Sequence, residues 1–387
     1  MTEAEVRRRL AHDPIPDGAQ AGERAWEVVR IAFVERERVP RIERRSRPFI
    51  AVAIAAAVAV AAITPPGRAF VERLRDVVGR SPSEPALVRL PAPGRLLVDS
   101  AKGPWVVHRD GSKRLLGLYD AASWSPQGKF VVATGGHRVV ALEPGGDVRW
   151  TVTRPQSVAQ ARWAPSGFRI AYREGATLRV VVGNGTADRL LARSVAAVAP
   201  AWRPGPSNVL AYVDTAGRVH LVDVDTRREL WATAPGPPLS GLAWSPGGDR
   251  LLALSRGRRQ RLYDGEGAPV FTIELAAGHV APRAAFAPAG RTVALTDFDP
   301  ARNRSAIVIV NEAAERTLFK AAGRLEDLAW SPNGRWLLVS WPSAGQWLFL
   351  RTPGVGRIIT VSNVMGEFDP GATGSPTFPR LAGWCCS

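Results

Sequence analysis

Residues 242–254 read Leu242-Ala-Trp244-Ser-Pro246-Gly-Gly248-Asp-Arg250-Leu-Leu-Ala-Leu254. An apolar stretch ends on an aromatic, Pro and Gly mark a turn, and a second apolar stretch follows at once, which is the pattern of a β-hairpin. A lone hairpin is marginal in water, so further copies are needed to bury it. They are present. The phrase returns as Ala122-Ser-Trp124-Ser-Pro126-Gln-Gly128, Ala161-Arg-Trp163-Ala-Pro165-Ser-Gly167 and Ala201-Trp202-Arg-Pro204-Gly-Pro206. It returns again as Ala285-Phe286-Ala-Pro288-Ala-Gly290 and Leu328-Ala-Trp330-Ser-Pro332-Asn-Gly334. The aromatics at 124, 163, 202, 244, 286 and 330 are 39, 39, 42, 42 and 44 residues apart. Four short strands with their turns fill such a period, the blade of a β-propeller.

Each unit supplies the remaining strands. Val219-His-Leu-Val-Asp223-Val-Asp225 runs through a turn into Glu229-Leu-Trp231, and Val139-Val-Ala-Leu-Glu143-Pro-Gly runs into Val148-Arg-Trp150. The Trp-Ser-Pro-x-Gly phrase followed by an apolar strand resembles the TolB-type, WD-repeat-like propeller family. The Leu-Val-Asp-x-Asp-Thr stretch before Leu230-Trp231 is similar to the third-to-fourth-strand turn of quinoprotein-type propellers. The resemblance covers roughly residues 90 to 387 and departs from true WD repeats, since no Trp-Asp dipeptide ends a blade. It implies fold far more than activity, because this architecture hosts many functions.

Blade number follows from the leftovers. Before the first phrase, Arg95-Leu-Leu-Val-Asp99, Pro104-Trp-Val-Val-His108 and Arg114-Leu-Leu-Gly-Leu118 offer three strands without a phrase-bearing first one. Arg380-Leu-Ala-Gly-Trp384 at the other end echoes Arg324-Leu-Glu-Asp-Leu-Ala-Trp330. Six complete blades plus one assembled from both ends predict an all-β, seven-bladed propeller, with six blades as the alternative. Closure of this kind removes the exposed sheet edge of an open ring.

Upstream, Phe49 to Ile63 is an uncharged run of eight Ala, three Val, three Ile and one Phe. As a helix it spans about 22 Å, short of the ~30 Å hydrocarbon core before its flanks are added. Arg36, Arg38, Arg41, Arg44, Arg45 and Arg47 precede it, whereas Arg68, Arg73, Arg75 and Arg80 follow. The excess before the run places the N-terminus in the cytoplasm and the propeller outside. The expected plan is a cytoplasmic helical segment at 1–47 and a transmembrane helix at 48–64. A juxtamembrane helix and Pro-rich linker at 65–93 then lead to the propeller at 94–387. A cleaved signal peptide, with Ala59-Val60-Ala61 as its cleavage box, and a buried Ala-rich helix are the rival readings of the run.

Lys+Arg outnumber Asp+Glu by 51 to 35, giving a net charge of +16, and only four of the 51 are lysines. The balance favours anionic partners. No helix-turn-helix, zinc-finger or RNA-binding signature appears, so nucleic acid is not an expected partner. Neither a Gly-x-Ser-x-Gly elbow nor a phosphate loop appears, and the expectation is a non-enzyme without cofactor or metal. Asp223/Asp225 and Asp297/Asp299 read as solvated turn carboxylates, and Cys385-Cys386 as an unreactive or incidentally oxidised pair facing opposite ways. The recurring Trp residues read as packing between blades. Four arginines, Arg256, Arg258, Arg259 and Arg261, crowd one hairpin and form a candidate anion-binding site.

The N-terminal segment places Trp26, Val29 and Phe33 on one side of an amphipathic helix too small to fold alone. Two roles fit the whole layout. One is a membrane-anchored extracytoplasmic scaffold that binds proteins or ligands. The other is a transmembrane sensor of anti-sigma type, whose cytoplasmic helix binds a sigma factor through Trp26, Val29 and Phe33; a propeller enzyme is the third alternative.

Overall fold

The computed structural model describes residues 89–281, 283–352, 358–369 and 377–386. The segments expected as a cytoplasmic helix with Trp26, Val29 and Phe33, as the transmembrane run at 48–64 and as a juxtamembrane helix lie outside the described residues. Among the described residues no helix is long and apolar enough to cross a membrane.

The described residues form seven antiparallel four-stranded sheets, and the protein is a seven-bladed β-propeller. Blades 2 to 7 occupy residues 121–153, 158–192, 201–232, 239–274, 284–322 and 328–361 in turn. Blade 1 is composite. Its sheet order begins with Arg380–Cys385 and continues with Arg95–Ser100, Gly103–Val107 and Lys113–Leu115. The closing strand pairs antiparallel with the N-terminal one, matching Leu96 with Trp384 and Asp99 with Arg380. The seven-blade expectation therefore holds.

The first strands of successive blades touch in a closed cycle and encircle the axis. Fourth strands such as Val148–Thr153 and Arg228–Ala232 are mostly exposed and form the rim. Seven separate hydrophobic clusters make the core, and each straddles one pair of neighbouring blades. Between blades 1 and 2, for example, Leu97 and Val106 meet Ala122, Val131 and Val140. Val132 and Val139 face the other way, against Ile170 and Tyr172 of blade 3. Middle strands are thus buried on both faces, which is why they read as unbroken apolar runs.

Three of the repeated Trp residues, Trp202, Trp244 and Trp330, join neighbouring blades by a hydrogen bond, whereas the Nε1 atoms of Trp124 and Trp163 are buried without one. Trp202 Nε1 donates to the Arg162 carbonyl of the preceding blade at 2.9 Å, Trp244 to that of Ala201 at 3.2 Å, and Trp330 to that of Ala285 at 3.1 Å. Each indole buries its ring and spends its one polar atom on the neighbour. Trp384 does the same for closure, donating to the Pro93 carbonyl at 3.1 Å and packing edge-on against Phe349 of blade 7. Leu90 and Ala92 join that cluster, so the end of the Pro-rich stretch is part of the packed ring.

Candidate functional site

Two places gather charge: the axis and the rim of blade 5. At the axis, Asp99 and Arg380 lie opposite each other in the closing ladder. Asp99 Oδ1 accepts the Ala122 backbone N–H of blade 2 at 3.1 Å. Just before blade 7, Asp327 is buried and accepts from Arg283 Nε at 3.1 Å. Its second oxygen accepts the Leu381 backbone N–H at 3.0 Å, so one carboxylate ties the approach to blade 6, blade 7 and the closing strand together. Arg162, at the end of the first strand of blade 3, completes the group. It belongs electrostatically with Asp99 and Arg380, and burial lowers its pKa. Burial likewise pushes the Asp99 carboxyl up to about 7, an effect that the positive charges of Arg380 and Arg162 only partly offset. Three guanidiniums therefore share the axis with two carboxylates, one of which titrates near neutrality.

Arg162 is aimed by a bulge. Pairing shifts by one residue between Ala159 and Arg162, and Gln160 takes a φ of 58°. Bulges re-aim side chains in this way. None of these axial residues stood out as a candidate in the sequence, although a signal was there. The residue before the repeated aromatic is Ser123, Ala201, Ala243, Ala285, Ala329 or Gly383 in the other blades, and Arg162 alone is large and charged. Below it Trp124, Arg162, Trp163 and Trp202 line an open hollow of about 430 Å³.

The arginine candidates fall in blade 5. Its second strand, Leu251–Ser255, turns at 256–258 into the third, Arg259–Tyr263. Two buried polar side chains hold that turn. Gln260 Oε1 accepts the Ser255 N–H at 2.7 Å and its Nε2 donates to the Gly257 carbonyl at 2.7 Å. Ser255 Oγ donates to the Arg259 carbonyl at 2.7 Å. Arg258 forms an ion pair with Glu274, and Arg259 approaches the same carboxylate at 3.5 Å. The structure thus brings Arg258, Arg259 and Arg261 to one cavity of about 290 Å³ between blades 4 and 5; Arg256 does not line it.

The remaining candidates are structural among the described residues. Asp223 Oδ1 accepts the backbone N–H groups of Asp225 and Thr226, and Asp225 pairs with Arg169 at 3.1 Å and Asn208 at 2.7 Å. His279 bridges Asp297 at 2.8 Å and Asp299 at 3.6 Å, while Arg302 holds Asp299 at 2.9 Å. No group of His, Cys, Asp and Glu among the described residues is arranged to hold a metal. Cys385 and Cys386 are joined in a disulfide, which corrects the expectation that they face opposite ways. The strand ends at Cys385 and Cys386 takes a φ of 60°, so the alternation of a strand no longer applies there.

No known family pattern and no curated protein matches the sequence. Among solved structures the chain is similar to the Cps50 (Swd1) β-propeller domain of Myceliophteria thermophila. The TM-score is 0.51 at 14% identity, over 63% of this chain and 86% of that one. It is also similar to Kuenenia stuttgartiensis hydrazine synthase, with a TM-score of 0.48 at 14% identity, over 59% of this chain and 75% of that one. Likeness at such identity shows the fold alone, a β-propeller; the second similarity carries no argument.

Proposed function

We propose that the protein is a membrane-anchored extracytoplasmic propeller that acts as a binding scaffold, of TolB-like rather than enzymatic character. The observation that carries the binding role is the convergence of Arg162, Arg283, Arg380, Asp99 and Asp327 on the axis of a ring closed by its own chain ends. Opposite charges gathered where first strands converge point to a ligand site, because the desolvation of such groups has to be offset by something bound or by one another. Anchoring rests on the run from Phe49 to Ile63 and its arginine asymmetry. Reporter fusions after Arg47 should behave as cytoplasmic and fusions after Pro93 as exported. A full-length protein free in the cytosol would defeat the reading, and a mature protein starting near Ala62 would replace the anchor by a signal peptide.

The apolar stripe of Trp26, Val29 and Phe33 favours a second reading, a sensor whose cytoplasmic helix docks in the groove of a regulator such as a sigma factor. Replacing Trp26 and Phe33 by Ala should then abolish co-purification of that regulator and leave export of the propeller intact. Equal recovery by both proteins would leave the scaffold reading alone.

A further inference from the structure

We infer that the cavity between blades 4 and 5 is a binding site for an organic phosphate, a phosphoryl group carried on a short apolar body. The assignment deepens the scaffold reading and is tested separately from topology. Its inner wall is the open end of a packed core: Val219, Ala253 and Tyr263 all belong to the blade 4–5 cluster and also line the cavity. The outer part is different. Arg259 and Arg261 alternate with buried Gln260 and Leu262 along one strand, so both arginines and Tyr263 share the cavity side. Arg258 reaches the same cavity from the turn.

Charge selects the ligand class. Glu274 is the only acidic partner of these arginines among the described residues, and it is shared by Arg258 and Arg259. The guanidinium of Arg261 makes no ion pair among the described residues. Three guanidiniums against one carboxylate leave an excess suited to a dianion, and the fork of N–H donors matches the tetrahedral face of a phosphate. The turn itself is pre-set, because buried Gln260 and Ser255 satisfy its backbone before any ligand arrives. Holding donors in place in advance reduces the ordering that binding would otherwise require. A volume of about 290 Å³ admits a phosphoryl group with a ring or short chain, not a large ligand.

The test is calorimetric titration of the full chain in neutral detergent with phenyl phosphate, inorganic phosphate and dihexanoyl phosphatidic acid. Saturable binding of phenyl phosphate is expected, about tenfold tighter than inorganic phosphate because only the former covers the apolar wall. Arg261→Ala should weaken it about tenfold while leaving the melting temperature unchanged. Arg256→Ala, which keeps the same net charge as that variant but lies off the cavity, should change affinity less than threefold. Tighter binding of the phosphatidic acid would identify a lipid headgroup as the source, and tighter binding of phenyl phosphate a soluble ester. Equal losses in the two arginine variants, or no saturable binding of any of the three, would overturn the site.

Discussion

Blades 1 and 5 have the same four-strand plan and opposite uses of charge. In blade 1 and its neighbours the charged groups turn inward: Asp327 is buried and holds Arg283 and the Leu381 N–H, and Asp99 holds the Ala122 N–H. Each bond there joins two blades. In blade 5 the arginines stand at the rim, where two of them share Glu274 and the turn beneath is held by Gln260. Those bonds stay within the blade. Inward charge tied across blades serves closure as well as the axial binding role, because breaking it leaves the buried Asp327 unsatisfied. Rim charge in excess of its partners does nothing for closure and is free to meet a ligand.

Removing residues 377–387 should break the comparison at its largest. The closing strand carries Trp384 and Leu381 into the blade 1–7 cluster, and its loss leaves Arg95–Ser100 as an open edge. A loss of about 5 kcal/mol in denaturant unfolding is expected, near the whole stability of many domains. A melting curve unchanged by the truncation would show that the ring does not depend on its ends. The next effect is Asp327→Ala, which removes the acceptor shared by the Arg283 guanidinium and the Leu381 N–H. It should cost about 2 kcal/mol, mainly from the Leu381 N–H, since the Arg283 side chain is partly exposed, whereas a loss below about 1 kcal/mol would mean that the tie is incidental.

The last effect is one of pH. Asp99 holds its proton up to about pH 7 in the folded ring, because burial disfavours its charged form. Unfolded, it ionises near the ordinary carboxylate value of about 3.9. Between those values the folded state binds more protons, so this contribution to stability is complete below about pH 4 and is lost as pH rises through 7. Asp99→Asn keeps an oxygen for the Ala122 N–H and cannot titrate. Melting temperatures from pH 4.5 to 8 should fall less steeply in the variant than in the parent, and parallel curves would deny that Asp99 titrates there.

The repeat, the strand order within each blade and the composite first blade are legible in the chain alone. Each of these depends on local chemistry: an apolar strand, a Pro-Gly turn and an aromatic at a fixed spacing announce themselves without neighbours. The echo between Arg380-Leu-Ala-Gly-Trp384 and the phrase before Trp330 was enough to close the ring. The blade 5 arginines were legible as a cluster for the same reason, being close in the chain. Which of them share a cavity follows from the packing of the blades, because Val219 comes to it from blade 4, Pro237 from the connection between blades 4 and 5 and Leu239 from another strand of blade 5. The tertiary structure alone also assembled Asp99, Arg162, Arg283, Asp327 and Arg380, which are scattered over 282 positions of sequence and meet because first strands converge on one axis. Charge at an axis has no period and no neighbouring residues to mark it; closing seven sheets into a circle is what makes those five residues neighbours.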